Sequence, residues 1–272
     1  MPGKRNRLFR FGFVLVVGSG VLGLAIFIAF LIVLPVFRFP APGGPHAIGT
    51  LTYHLVNPNR AEIFSMDASS RRELMVKIWY PAKAAEPLSS TPPSPRAPYV
   101  QNADALAKAL SRLKNLPTAL FGQFKYVTTH AIPGALMADE KRSYPVLIFL
   151  EGAIGFRQMN TFQVEALVSQ GPIVAAIDQP YTAAVVVFPD GREVGALPLD
   201  QMSALIHQSH SPAAIPPQLN GRAFENGIIP YLAQDVSFTL NHLAALNQAD
   251  PNACRAVGTR ASRGLAARGY GM

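Results

Sequence analysis

The sequence predicts an α/β domain that follows a single N-terminal membrane-spanning helix. Two observations predict this fold class. Residues 11–34 carry no charge, and a helix of this length, at about 1.5 Å per residue, exceeds the ~30 Å hydrocarbon core of a bilayer. Beyond residue 47, β-rich runs alternate with amphipathic segments, and two apolar runs at 145–150 and 172–178 flank a helix-compatible stretch. This alternation is typical of a parallel βαβ unit.

Most of the excess positive charge lies at the two ends of the chain. The formal net charge is +8, from 24 basic and 16 acidic residues. Four basic residues precede residue 11 and four follow residue 251, with no acid in either segment, so the 16 basic and 16 acidic residues between them balance. Nucleic-acid binding requires clustered positive charge on the folded body. We therefore expect no nucleic-acid partner.

The basic residues also predict the orientation of the apolar helix. Four of them precede it and only Arg38 follows closely, which by the positive-inside rule places residues 1–10 in the cytoplasm as a basic flank. Residues 35–46 are then a linker, and the body is periplasmic or extracellular. A cleaved secretory signal is the alternative, although the apolar region of such a signal is only about 7–15 residues long.

The body begins with two β-rich runs, Gly49–Asn57 and Arg72–Tyr80, which we predict to be an antiparallel pair at the edge of a sheet. Residues 81–98 contain six prolines, too many for a ladder or a helix, and are predicted to be a surface excursion. Asn102–Leu116 has apolar residues at helical spacing and predicts an amphipathic helix.

The centre of the body is predicted to be a βαβ unit. Pro145–Leu150 is a buried strand, Gln158–Ser169 a crossover helix and Pro172–Asp178 a second apolar strand. Strands joined in this way lie parallel. The turn between the first strand and the helix contains Gly152 and Gly155.

The C-terminal third of the body mixes regular and irregular segments. Val185–Val194 predicts a hairpin, because Pro189-Asp190-Gly191 supplies the turn. Leu197–Gly227 is rich in Pro and Gln and is predicted to be an irregular insertion with substrate contacts. Ile228–Leu246 predicts a helix with one apolar face.

The turn Glu151-Gly152-Ala153 follows the first parallel strand directly. Backbone amides there lie at the carboxyl edge of the sheet, where open α/β folds bind ligands, and such amides can stabilise a developing oxyanion. From the residues alone, a tight connection that only needs flexible glycines is the alternative.

Five segments between about residue 47 and residue 251 are informative together: GTLTYHLVNPNRAEIF, RRELMVKIWYPA, YPVLIFLEGAIGFRQMNTFQVEALVSQG, IVAAIDQPYTAAVVVFPDGREV and the segment around Asp235. Together they resemble the platelet-activating-factor acetylhydrolase-like family of α/β-hydrolases. In that family the turn usually reads H-G-x-G-x-F-R, and the amide of the residue after H-G forms half of the oxyanion hole. The resemblance implies this role for the amide of Ala153, next to Gly152. Glu151 stands where the family usually has His, and Ile154 replaces a common glycine.

A serine hydrolase of this kind also needs a G-x-S-x-G nucleophile elbow, followed by an acid and a histidine. The motif is absent from the 272 residues, and residues 252–272 form an atypical tail rich in Arg, Ala and Gly. We hypothesise that the reading frame shifts near Asn252 or Ala253, so that residues 47–251 are the N-terminal part of a hydrolase domain with an incomplete sheet. An incomplete sheet leaves the strand Pro172–Asp178, or its neighbour, with an unpaired edge, so we expect poor solubility of the chain from about residue 40 onward.

Other polar residues do not replace the missing triad. His207 and His210 lie three residues apart near Asp200, but the Pro-rich surroundings argue against a helix and no closing ligand is evident. We therefore expect neither a metal site nor a cofactor. The remaining candidates are interpreted as packing, surface, turn or capping residues: His54, His130, His242, Asp178 and Asp235.

The resemblance implies a membrane-anchored carboxylic-ester hydrolase, an esterase or lipase for lipid or small ester substrates. Without its nucleophile the chain is expected to be inactive as it stands. The alternative is a non-catalytic, membrane-anchored binding or interaction module.

Overall fold

The computed structural model describes residues 13–25, 36–83, 95–139 and 143–249. The chain divides into two compact units, residues 1–37 and 38–272. In the first unit, residues 13–25 form helix α1. None of the described helices is both long and apolar enough to cross a bilayer.

The predicted span at residues 11–34 extends past both ends of α1 into residues outside the described ranges. The flank at 1–10 and the tail at 252–272 also lie outside them. The membrane span and its orientation therefore stay predictions.

The second unit contains a five-stranded sheet with the order β3-β1-β2-β5-β4. Strands β1 (Ala47–Ala61) and β2 (Arg71–Ala82) form the predicted antiparallel pair. Strand β2 also pairs antiparallel with β5 (Ile173–Asp178), and β5 pairs in parallel with β4 (Val146–Leu150), as the βαβ pattern predicts. The two residues of β3 (Ile132–Pro133) lie parallel to β1.

Strand β2 is central rather than part of an edge pair, because β5 pairs with its other side. Helix α3 (Thr161–Ser169) covers one face of the sheet, where its valines pack with Trp79. Helix α5 (Ile229–Ala249) covers the opposite face, where Val236 packs with Leu74. Because helices cover both faces, β2 is buried along almost its whole length.

The other helices agree only partly with the sequence pattern. Helix α2 (Ala103–Lys114) is the predicted amphipathic helix, and it ends where Asn115 adopts a left-handed conformation with φ 52°. Helix α4 (Leu199–His210) lies in the segment predicted to be irregular, so that prediction is wrong there. The prolines lie at its ends, with Pro198 as the N-cap and Pro212 beyond the C-terminus, positions where proline is compatible with a helix.

Two short hairpins also belong to the unit. Strands β6 (Val185–Val187) and β7 (Glu193–Gly195) form the predicted hairpin, and Gly191 in its turn has φ 86°. A second small hairpin pairs β8 (Gln218–Leu219) with β9 (Arg222–Ala223).

Strand β4 is an exposed edge strand, although the sequence predicts a buried one. Within the described ranges, β5 is the only strand paired with it. Val146, Leu147 and Leu150 are 42%, 41% and 48% exposed. An apolar run indicates a strand that is normally covered on both sides, whereas the outer side of β4 has no described neighbour. The unpaired edge expected from the sequence therefore lies on β4.

Candidate active site

Two loops meet at the carboxyl ends of the parallel strands β4 and β5. The first runs from Glu151 to Arg157 and the second begins at Asp178. Ile154 donates its backbone N–H to the carbonyl of Thr182 at 2.7 Å, and the carbonyl of Gly155 accepts the N–H of Ala184 at 2.7 Å. These two bonds hold the loops together as one surface at the edge of the sheet.

The first loop presents an unused backbone donor. Gly152 and Ala153 are both exposed, and the N–H of Ala153 donates to no acceptor within the described part of the chain. Gly152 has φ 76°, a left-handed conformation that glycine adopts without steric cost. The Ala153 amide can therefore donate to an oxygen atom that approaches the sheet edge.

Ile154 is held in a strained conformation next to this amide. Its φ is 60°, and a β-branched residue in the left-handed region is a genuine outlier that costs about 1–3 kcal/mol. The side chain packs beside Tyr181, which is itself left-handed with φ 71°, against a cluster that includes Met202 and Leu205 of α4. This packing, together with the hydrogen bond to Thr182, offsets the strain. The position therefore has a conformation suited to glycine although it carries isoleucine.

Asp178 is a buried ion-pair partner, and its interpretation as an ordinary turn residue is wrong. One carboxylate oxygen accepts the backbone N–H of Arg157 at 2.6 Å, and the other accepts from the guanidinium of the same residue. Asp178 and Arg157 are 2% and 4% exposed. Burial raises the pKa of Asp178, while the neighbouring Arg157 charge opposes that rise. The pair fixes the start of the α3 segment to the end of β5.

Glu151 lies in the same buried environment. Its Oε2 is buried and has no hydrogen-bond partner within the described ranges. Burial, and then the nearby Asp178 charge, raises the pKa of Glu151 to about 8, although the backbone N–H groups of Glu151 and Gln179 and the Arg157 charge act in the opposite direction. At neutral pH the carboxyl group is therefore mostly uncharged. An uncharged Glu151 does not repel an oxyanion at the neighbouring amide.

The sequence reasoning missed a buried lysine on β2, whose pKa depends in part on the charge of Asp178. Lys77 on β2 is 2% exposed, with its ammonium 4.6 Å from the centre of the Trp79 ring. Burial is the main cause that lowers its pKa to about 7, the Arg157 charge lowers it further, and the charges of Glu165 and Asp178 raise it. A lysine among the otherwise apolar residues 74–80 of the central strand is the sequence signal that could have identified it.

Asp235 on α5 is completely buried, so its interpretation as a solvated or capping group is wrong. It is 0% exposed and accepts from Arg72 at 2.7 Å, Arg60 at 2.5 Å and Gln179 at 2.8 Å. Arg72 also donates to Glu62 at 2.8 Å. The network joins β1, β2, α5 and the loop after β5, and so positions the second loop of the site. Helical spacing from Leu232 to Thr239 already places residue 235 on the buried face.

The histidines do not form a catalytic pair at this edge. The His54 ring lies 2.6 Å from a Glu73 carboxylate oxygen, and the His130 ring lies 3.0 Å from the carbonyl of Phe39. Burial lowers the pKa of His242, whose ring contacts Tyr53.

His207 and His210 lie on helix α4, contrary to the expectation that this segment is not helical. In the part of the chain that the structure describes, no group of three or more His, Cys, Asp or Glu side chains is arranged to hold a metal ion.

Two cavities lie near the loops. One of about 230 Å³ lies between α4 and residues 217–219, and two of its lining residues, Leu205 and Leu219, belong to the cluster that also contacts Ile154. The other, of about 20 Å³, is lined by Arg157 and Asp178 among others, and has room for little more than one water molecule.

Comparison with known proteins identifies a matching family and a similar solved structure. The family model "Platelet-activating factor acetylhydrolase, isoform II" matches residues 32–193, a range that contains β1 to β6 and the whole first loop. The chain is also similar to the solved structure of a ferulic acid esterase from Streptomyces cinnamoneus, with 30% identity and a TM-score of 0.48.

That alignment covers 64% of this chain and 46% of the esterase, so the chain spans less than half the length of that protein. No curated protein matches the chain. The resemblance noted in the sequence is confirmed, because the family model covers more than half of the chain: this protein belongs to the platelet-activating factor acetylhydrolase, isoform II, family.

Proposed function

We propose that the chain carries the carbonyl-binding part of an ester-hydrolase site. In this proposal the N–H of Ala153 donates to the carbonyl oxygen of an ester at the carboxyl edge of the sheet. The observation that supports it best is that Ala153 is an exposed residue whose backbone N–H has no acceptor within the described ranges. Membership of an acetylhydrolase family also supports this role for the amide.

The amide acts by electrostatic stabilisation. During attack on an ester, the carbonyl oxygen gains negative charge, and a fixed donor lowers the energy of that state more than that of the ground state. Loss of one such donor typically costs about 2.7–4 kcal/mol of transition-state stabilisation. Because Glu151 is mostly neutral at pH 7, it does not cancel this effect.

The proposed substrates are lipid or small esters with a short acyl chain. Ile154 and Tyr181, two partly buried members of the apolar cluster next to the amide, offer a surface for such a chain. We also propose that the protein is anchored by residues 11–34, with the N-terminus in the cytoplasm and the body in the periplasm or outside the cell. The charge-free stretch and the helical residues 13–25 support this anchor.

The attacking group is the missing component. The sequence contains no G-x-S-x-G, and His54 and His130 are bonded to Glu73 and to a backbone carbonyl rather than to a serine. We therefore propose that these 272 residues alone do not turn over esters. The same absence of the motif favours a second function, that of a non-catalytic ester-binding or interaction module.

One experiment separates the two functions. The nucleotide sequence beyond codon 252 is translated in all frames, and the chain restored by any frame that encodes G-x-S-x-G is assayed with p-nitrophenyl acetate. We expect turnover and labelling of the elbow serine by a fluorophosphonate probe.

The 272-residue protein is the matched control, and we expect it to show neither turnover nor labelling. If no frame encodes the motif, the hydrolase proposal loses to the binding module. Labelling of a serine in the 272-residue protein would contradict the missing nucleophile.

A further inference from the structure

Glu151 is an acidic residue in a position that favours an uncharged group. It follows β4 directly, and its Oε2 is buried without a hydrogen-bond partner in the described part of the chain. Burying a charged carboxylate oxygen without a hydrogen bond has a large desolvation free energy, whereas burying an uncharged carboxyl group has a much smaller one. The packing at this site therefore selects the protonated form.

The charged groups around Glu151 act in opposite senses. Asp178 at the end of β5 repels an anionic Glu151, and Arg157 attracts it more weakly. However, Arg157 is already committed to Asp178 through its guanidinium and its backbone N–H. The charge of Lys77 on β2 also lowers the pKa of Asp178. An anionic Glu151 would therefore have to share Arg157 with Asp178, because Arg157 already forms an ion pair with that residue.

The loop that Glu151 begins is tight and has few anchors. Gly155 lies so close that a Cβ at that position would be 2.9 Å from the Cβ of Glu151 and 3.0 Å from its Cγ. Two backbone donors hold the loop shut: Ile154 donates to Thr182 at 2.7 Å and Gly155 donates to Gly152 at 3.3 Å. Movement of the Glu151 side chain out of its position therefore disturbs the segment that carries Ala153.

We propose that Glu151 is a pH-dependent latch for the loop 151–155: its neutral form stays packed and holds the Ala153 amide in place, and its anionic form leaves the packed position and releases the loop. Glu151 is thus a positioning residue that acts through the loop backbone. Its importance for ester binding depends on the proposed function, but the latch itself does not. The site is closed and ordered at neutral pH and opens as the pH rises.

Amide hydrogen exchange of Ile154 and Gly155 tests the latch directly in the full chain. Protection factors, corrected for the intrinsic pH dependence of exchange, are measured at pH 6, 7, 8 and 9 for wild type and Glu151→Gln. With opening linked to one ionisation near pH 8, protection in the wild type should fall about tenfold between pH 7 and pH 9. The Gln variant, which cannot ionise, should retain its protection across the whole range.

Glu193→Gln is the matched control, because Glu193 is an exposed acid on β7, and it should behave like wild type. If Glu151→Gln does not fold, Glu151→Met supplies the same test with another uncharged side chain of similar length. Constant protection in wild type, or a tenfold loss that persists in the neutral variants, would overturn the latch. Hydrogen exchange requires neither an ester nor turnover, so failure of the latch is distinguishable from failure of the proposed function.

Discussion

Replacement of Asp235 by Asn tests whether the buried ion network holds α5 and the second loop of the site to the sheet. The change removes the charge that faces Arg72 at 2.7 Å and Arg60 at 2.5 Å, and introduces an NH2 group among their donors. Arg72 is 1% exposed, so water cannot replace the lost partner. Breaking a buried pair of this kind costs about 3–5 kcal/mol. This is a large part of the 5–15 kcal/mol by which a typical domain is stable, to order of magnitude.

Thermal and urea unfolding of the full chain measure this cost. For a domain of about 150–250 residues, each kcal/mol corresponds to roughly 2–4 °C in Tm, so Asp235→Asn should lower Tm by roughly 6–20 °C. The exposed acid Glu193 provides the control, since Glu193→Gln should change stability by less than about 0.5 kcal/mol. A loss of less than about 1 kcal/mol for Asp235→Asn would show that the network is not what holds these elements together.

Three further changes give independent tests. Gly155→Ala should lower the free energy of unfolding by about 1–3 kcal/mol, measured as a lower urea midpoint, because the new Cβ would lie 2.5 Å from a backbone carbonyl oxygen. Gly122→Ala is the control, since its Cβ would meet nothing within 4 Å. Equal midpoints for the two variants would refute this prediction. Leu147→Lys should raise the monomeric fraction in sedimentation, because it places a charge on the unpaired apolar edge strand β4. Leu116→Lys changes a similarly exposed leucine outside β4 and should not raise that fraction. An equal gain for both variants would show that association does not depend on β4. Since burial lowers the pKa of Lys77 to about 7 and the unfolded value is about 10.4, the native state binds fewer protons between those values, so stability should rise with pH across that window. Lys77→Met should abolish that rise in pH-dependent unfolding, and a persistent rise would assign it to another group.

The regular elements of the βαβ unit were predictable because their signals are local. Apolar runs identified β4 and β5, and periodic apolar positions identified α2 and α5 to within a few residues. The hairpin at residues 185–195 also followed from its turn residues. In each case the residues that determine the conformation lie next to one another in sequence.

What could not be predicted depends on residues far apart in sequence. The burial of β4 depends on whether another strand lies beside it. The apolar residues of β4 alone do not determine whether such a strand is present. Helix α4 was missed because prolines were counted as helix breakers, whereas they lie at its ends. Asp235 was misread because its partners, Arg60 and Arg72, lie more than 160 residues away in sequence. Long-range pairing therefore decides the electrostatics of the site.

The candidate site shows the same division. The sequence and the family resemblance predicted a role for Gly152 and Ala153; both residues are exposed, and the N–H of Ala153 has no acceptor in the described ranges. The protonation of Glu151 was not predictable, because it depends on burial and on the approach of Asp178. The left-handed φ of Ile154 likewise becomes evident only once the loop is seen.

The most direct test of the central claim is the ¹⁵N–¹H chemical shift of Ala153 during titration with butyl acetate at pH 7. The account predicts a saturable downfield shift of the Ala153 amide proton, with smaller changes at Gly152 and Ile154 and none at Gly191, a turn glycine outside the site. If the Ala153 amide does not move while another part of the surface saturates, the loop after β4 is not where this protein holds an ester carbonyl.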